Sequence, residues 1–203
     1  EIMTSIISQY AHEDALLAVF SSSARVAVIR VFMLDPLRAY YQRQIEMATG
    51  LPIRAVQREL DRFTSIGLLY RRVEGNRTYY QVDMQFPLFP ELRSMMTKAA
   101  SPEVRLRGAF AMDDTVRLAF LNRQEKRILI VTTTGRRPNY GDAGTFQIDV
   151  MSTEEFTRTL TGNREVLEPF LVKGVDLLGR REDVIWRRIE AAGYKVEKDK
   201  GVP

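Results

Sequence analysis

The stretch Ile45-Glu46-Met47-Ala48-Thr49-Gly50-Leu51-Pro52-Ile53-Arg54-Ala55-Val56-Gln57-Arg58-Glu59-Leu60-Asp61-Arg62-Phe63-Thr64-Ser65-Ile66-Gly67, continued to Val82, decides the fold. Ile53, Val56, Leu60, Phe63 and Ile66 recur at three- and four-residue steps, with Ala55 beside them, which is one apolar stripe on a helix. Arg54, Gln57, Arg58, Asp61 and Arg62 fall on the opposite face. Pro52 suits a helix start, where its missing N–H is an orphan donor anyway, and Gly67 suits a left-handed stop. A shorter helix, Tyr40 to Gly50, precedes it. Leu68–Val73 and Thr78–Val82 are rich in β-branched and aromatic residues, and Glu74-Gly75-Asn76-Arg77 between them is turn chemistry. Helix, Gly turn, Arg/Gln-faced helix and basic hairpin predict a winged helix-turn-helix.

This string, from Gln44-Ile45-Glu46-Met47-Ala48-Thr49-Gly50-Leu51 through Val56-Gln57-Arg58-Glu59-Leu60-Asp61-Arg62-Phe63 and Ile66-Gly67-Leu68-Leu69 to Gly75-Asn76-Arg77-Thr78-Tyr79-Tyr80, resembles the winged helix of ArsR-type repressors. The resemblance covers about a third of the chain. It implies a DNA-binding transcriptional regulator acting as a homodimer on double-stranded DNA. Arg54, Gln57, Arg58 and Arg62 would enter the major groove, Asn76 and Arg77 would follow the backbone or minor groove, and Gln42 and Arg43 would meet phosphates at the first helix. The competing reading is a winged helix turned to protein contacts, its polar face merely solvated.

Charge supports the nucleic-acid reading. The 203 residues carry a net charge of +4. Between Pro36 and Val82 eight Arg and no Lys stand against Glu46, Glu59, Asp61 and Glu74, so the whole excess sits in this segment. Arg offers a bidentate fork to phosphate or guanine. With no Cys and one His, His12, thiol chemistry is excluded and little is left for a zinc site. Apolar content of 45% permits a packed core. Without a long apolar run or a leader pattern, the chain reads as soluble and cytoplasmic, with no membrane partner.

Upstream, Ile2, Ile6, Ile7 and Tyr10 mark a short amphipathic helix, packing on a partner chain or on its own core. Asp14 could cap a segment Ala15–Phe20. Ala24–Leu34 is apolar most of the way round, so two sides must be covered: one by the winged-helix core, the other by a second subunit. Glu91–Ala100 is a helix, and Ala100-Ser101-Pro102 marks a domain boundary, giving residues 1–100 and 101–203.

The second half turns α/β, making the chain α+β overall. Leu106–Met112 and Thr115–Leu121 are helix then strand, or two strands. Arg127–Thr132 and Thr145–Met151 are strands, Ser152-Thr153-Glu154-Glu155 is a capping box, and Arg164–Lys173, Val175–Leu178 and Arg181–Ala192 are helix, strand and helix. The tail from Lys195 is expected to fray. Ile128-Leu129-Ile130-Val131, then Ile148-Asp149-Val150-Met151-Ser152-Thr153-Glu154-Glu155-Phe156, Phe170-Leu171 and Val175-Asp176-Leu177-Leu178-Gly179 resemble a small nucleotidyltransferase domain. That family uses a Gly-Ser loop and an Asp-x-Asp pair to hold Mg²⁺ and triphosphate. Here the positions read Gly108-Ala109 and Glu125-Lys126-Arg127, with Asp149 as the third acid. A cation at Arg127 costs roughly 4 kcal/mol at ~4 Å from a metal charge at an effective dielectric of 20. The expectation is therefore a domain without catalytic residues, metal or cofactor, with Asp149 and Glu125 solvated or paired. It would serve as a sensor or interaction module. Its alternatives are a nucleotidyltransferase with an atypical metal site, or a sensor in which Arg136 and Arg137 of the Gly135–Gly144 loop hold a nucleotide or small-molecule effector.

Overall fold

The computed structural model describes residues 15–203. The amphipathic segment at Ile2–Tyr10, His12 and the Asp14 cap lie outside them. The architecture is mixed α+β. Two compact units emerge, one ending at Gly108 and the other spanning Ala109–Val202. The division falls within a helix, Pro102–Met112, and not at Ala100–Pro102. The Ser-Pro pair starts that helix instead of interrupting the chain. Ser101 accepts the Val104 N–H through its hydroxyl and the Arg105 N–H through its carbonyl, and proline is well tolerated in a first turn.

In the first unit, residues 15–20 are helical. Helix α1 (Ser23–Leu34) follows, with Ser22 accepting the Arg25 N–H at 3.2 Å as its cap. Then come β1 (Tyr40–Tyr41), α2 (Gln42–Thr49), α3 (Ile53–Ser65), the hairpin β2 (Leu69–Glu74) and β3 (Arg77–Val82), and α4 (Phe89–Lys98). Helix α1 buries Val26, Val28, Ile29, Phe32, Met33 and Leu34. It packs against α2 and α3, and against α4, whose Phe89 and Met96 join the same core. Arg93 of α4 also donates to the Met33 carbonyl. The second side of α1, assigned from sequence to another subunit, is thus covered by the chain's own α4.

Tyr40 and Tyr41 form a short strand, not the start of a helix. They pair with Tyr80 and Tyr79 of β3, giving a sheet ordered β1-β3-β2. The Tyr41 N–H donates to Gln44 Oε1 at 3.1 Å, so α2 begins at Gln42. Gly50, at φ 67°, makes the tight turn into α3. Val56, Leu60 and Phe63 of α3 face the core, but the ends of its stripe overhang it: Ile53 is 49% and Ile66 55% exposed.

The second unit holds a sheet ordered β6-β5-β4-β7, from β4 (Val116–Asn122), β5 (Arg127–Thr132), β6 (Gln147–Ser152) and β7 (Val175–Asp176). Strand β5 runs parallel to β6, and β4 is antiparallel to both neighbours. Helix α5 (Pro102–Met112) before β4 settles the open choice in favour of helix then strand. Helices α6 (Thr153–Gly162) and α8 (Val184–Ala191) cover one sheet face, where Phe120 stacks against Phe156 at 6.2 Å and Trp186 at 6.0 Å. Ser152 accepts the Glu155 N–H at 3.0 Å and caps α6.

The segment Arg164–Lys173 breaks into a 3₁₀ turn (Arg164–Val166) and a short helix, α7 (Glu168–Leu171). Pro169, lacking an N–H, fits a restart but not a helix interior. Helix α8 begins at Val184, not Arg181, because the Asp183 carboxylate accepts the Ile185 N–H at 2.9 Å. The tail is docked, not frayed. Val196 is buried, the Asp176 N–H donates to the Glu197 carbonyl, the Asp199 N–H donates to the Asp176 carbonyl, and Arg123 pairs with Asp199 at 2.8 Å.

Candidate nucleic-acid interface

Helix α3 divides its residues by period. Val56, Leu60 and Phe63 are buried, while Arg54 and Arg58 are exposed about a third of a turn or more away and Gln57 is exposed at the edge of that stripe. Arg54 and Arg58 make no hydrogen bond or ion pair with any described residue, so both guanidinium forks face solvent. Arg62 is partly engaged, 3.7 Å from the Glu59 carboxylate. Glu59 is the exception to the pattern, a charged residue only 2% exposed on the core side. It is held by Arg25 of α1, whose Nε lies 3.2 Å from Oε2 and whose Nη1 donates to the Phe20 carbonyl. This fixes α3 against α1 by a charge pair in addition to packing.

Arg43 at the start of α2 is exposed. Gln42 is half-buried, and its Nε2 donates to the Ile53 carbonyl at 3.4 Å. It ties the start of α2 to the start of α3, a role in the corner itself. Asn76 and Arg77 are exposed at the hairpin turn.

Sequence reasoning missed the outward face of the β1-β3-β2 sheet. The register sets Tyr41 opposite Tyr79, Tyr79 opposite Arg72, Tyr70 opposite Gln81 and Glu74 opposite Arg77. Alternation along each strand then puts Tyr41, Tyr70, Arg72, Arg77 and Tyr79 on one side. Leu69, Tyr80, Val82 and Tyr40 face the core on the other. The Tyr41 and Tyr79 rings meet edge-to-face at 5.9 Å. Arg77 Cζ lies 4.9 Å from the Tyr41 centroid, and Arg72 Cζ 6.0 Å from that of Tyr79. The signal was the two-residue spacing Tyr70-x-Arg72 and Arg77-x-Tyr79. On the core side, burial pushes the Tyr40 hydroxyl well above the usual phenol range, with Asp35, which accepts its proton at 2.7 Å, acting in the same direction.

In the second unit the acids singled out by sequence are paired. Arg127 donates to Asp149 at 3.0 Å, reaches Glu125 at 3.4 Å, and lies over the Phe170 ring at 5.1 Å. A guanidinium between the two carboxylates leaves them a poor fit for Mg²⁺. Among the described residues no group of three or more His, Asp or Glu side chains is placed to hold a metal ion. Arg137 donates to the Ile148 carbonyl at 2.8 Å and lies against Tyr140, which holds the loop in place; Arg136 is exposed. The buried Asp176 accepts the Leu178 and Gly179 N–H groups, both at 3.0 Å, and faces Arg181 at 3.1 Å. Those two N–H bonds turn the chain and end β7 two residues short of the Leu178 expected from sequence. Burial raises the Asp176 carboxyl above its ordinary value against the lowering pull of these bonds and of Arg181. No described helix is long and apolar enough to cross a membrane.

Compared with known proteins, the chain matches no family model, no curated protein and no solved structure.

Proposed function

We propose that the first unit is a winged helix-turn-helix and that the chain is a transcriptional regulator binding double-stranded DNA. The observation that carries this reading is the exposed, outward pair Arg54 and Arg58, which bond to no other described residue, with Gln57 between them, on a helix clamped from behind by the Arg25–Glu59 pair. Side chains of this type read guanine and adenine edges in the major groove. A rigid support is what such readout needs. Asn76, Arg77 and Arg43 extend the basic surface toward phosphates. Acting as a homodimer belongs to the same reading, and the packing of α1 on helices of its own unit favours a pairing surface elsewhere.

The second unit, similar in pattern to a nucleotidyltransferase domain, is read as a sensor or interaction module and not as a transferase. The Arg127 bridge between Asp149 and Glu125 favours this. The test is a fluorescence-anisotropy titration of duplex genomic fragments over a salt series. Affinity that falls linearly with the logarithm of salt is the expected result. No binding at low salt, or binding without a salt slope, rejects the reading. Sedimentation at micromolar concentration tests the dimer, and a species of 23.4 kDa alone overturns it.

A further inference from the structure

The outward face of the β1-β3-β2 sheet is built differently from the α3 surface. It interleaves three tyrosines with two arginines, Tyr70 exposed and Tyr41 and Tyr79 half-buried. Tyr70 is 47% exposed, and the Arg72 side chain 55%. On this face Arg72 and Arg77 stand against a single acid, Glu74, which Arg72 already neutralises at 3.0 Å, while Arg71 lies on the other side, opposite Tyr80. The net charge suits a polyanion. The rings suit something more specific: phenol faces offer stacking area, and in a duplex the base faces are already stacked on one another. Only unpaired bases can use such a surface, with the arginines on their phosphates.

We infer that this face is a stacking platform for single-stranded nucleic acid. Tyr79 and Tyr41 sit at its centre, in contact at 5.9 Å, with Tyr70 at the free edge strand. Tyr79 is flanked by Arg72 across the ladder and by Arg77 two residues back in its own strand, so a base laid on its ring has a cation within reach for each neighbouring phosphate. This inference does not rest on the duplex reading, which uses α3 and the turn.

The experiment is an anisotropy titration of a labelled oligothymidylate against the full chain, beside a duplex of the same length. Wild type is expected to bind the single strand at low salt. Tyr79→Ser and Tyr70→Ser should each weaken it about tenfold, the scale of one lost base–aromatic stack, and leave duplex affinity within about twofold. Tyr79→Phe should retain it, since the ring and not the hydroxyl stacks. Arg58→Ala should lower duplex affinity and spare the single strand. Tyr70 is 47% exposed and makes no ring contact with another described residue, so its variant keeps the test open should Tyr79→Ser unfold. Absence of single-strand binding, serine variants that bind it as well as wild type, or parallel loss on both probes overturns the platform. Loss of duplex binding alone, with the single strand retained, rejects the regulator reading and leaves the platform standing.

Discussion

Arg25 Nε lies 3.2 Å from the carboxylate of Glu59, which is almost wholly removed from water. A buried carboxylate costs heavily unless paired, and deleting one partner leaves the other uncompensated. Because the Arg25 side chain is 28% exposed, solvent recovers part of that cost.

Arg25→Ala should therefore lower the stability of the first unit by about 2–3 kcal/mol. Trp186, the single tryptophan, sits in the second unit. The far-UV circular dichroism of urea unfolding should shift to lower denaturant while the Trp186 fluorescence transition stays in place. A coincident shift of both probes would contradict the assignment of this pair to the first unit.

Arg58→Ala should weaken duplex binding by about 1–3 kcal/mol at the preferred site and relax base preference there. Arg77→Ala should weaken all duplexes alike and reduce the salt slope by about 1. Both side chains are exposed, so the Arg58→Ala unfolding midpoint should not move, and Arg77→Ala, which loses its contact with the Tyr41 ring, should cost no more than about 1 kcal/mol. Equal effects of the two changes on preferred and random sequence would argue against base readout by α3.

Asp176 predicts an unusual pH dependence. Its folded carboxyl is raised above 3.8 by burial, so the native state holds the proton more tightly than the unfolded chain. That contribution is complete below the unfolded value and is lost as pH rises through the folded one. The stability of wild type relative to Asp176→Asn should accordingly be greater at the acid end of this window than at neutral pH. A carboxyl carbon titration by NMR with its midpoint at or below 3.8 would refute the sign.

Gly174 is required by space and not by a left-handed backbone. An added Cβ would collide with the Phe170 carbonyl oxygen and meet that of Leu121 at 3.0 Å. Gly174→Ala should cost the second unit about 2 kcal/mol by overpacking, read as an earlier Trp186 fluorescence transition in urea. An unchanged midpoint would mean that the turn between α7 and β7 yields freely.

Period and turn chemistry made much of this fold legible. The α3 stripe of Val56, Leu60 and Phe63, the Gly50 corner, the hairpin around Gly75 and the cap at Ser152 could all be read from spacing alone. What could not be read depended on partners distant in the chain. Tyr40-Tyr41 continues a helix by local pattern, and only Tyr79 and Tyr80 make it a strand. The apolar girth of α1 announced that something covers it, but not that α4, sixty residues later, does so. The burial of Glu59 could not be read from the α3 pattern, because its partner, Arg25, is thirty-four positions away. Of the proposed interface, the helical arginines were visible as a list. The tyrosine face was not, since it exists only once β1 is laid beside β3.

Strand β1 is just two residues long, and they point opposite ways: Tyr40 into the core against Phe32, Tyr41 outward to Arg77. Inside and outside are therefore joined by a single peptide unit. A molecule pressing on the outer phenol pushes directly on the anchored one, and through it on α1. Occupancy of that surface should be audible in the core, as slower amide exchange along α1, without any hinge or lid to carry the message.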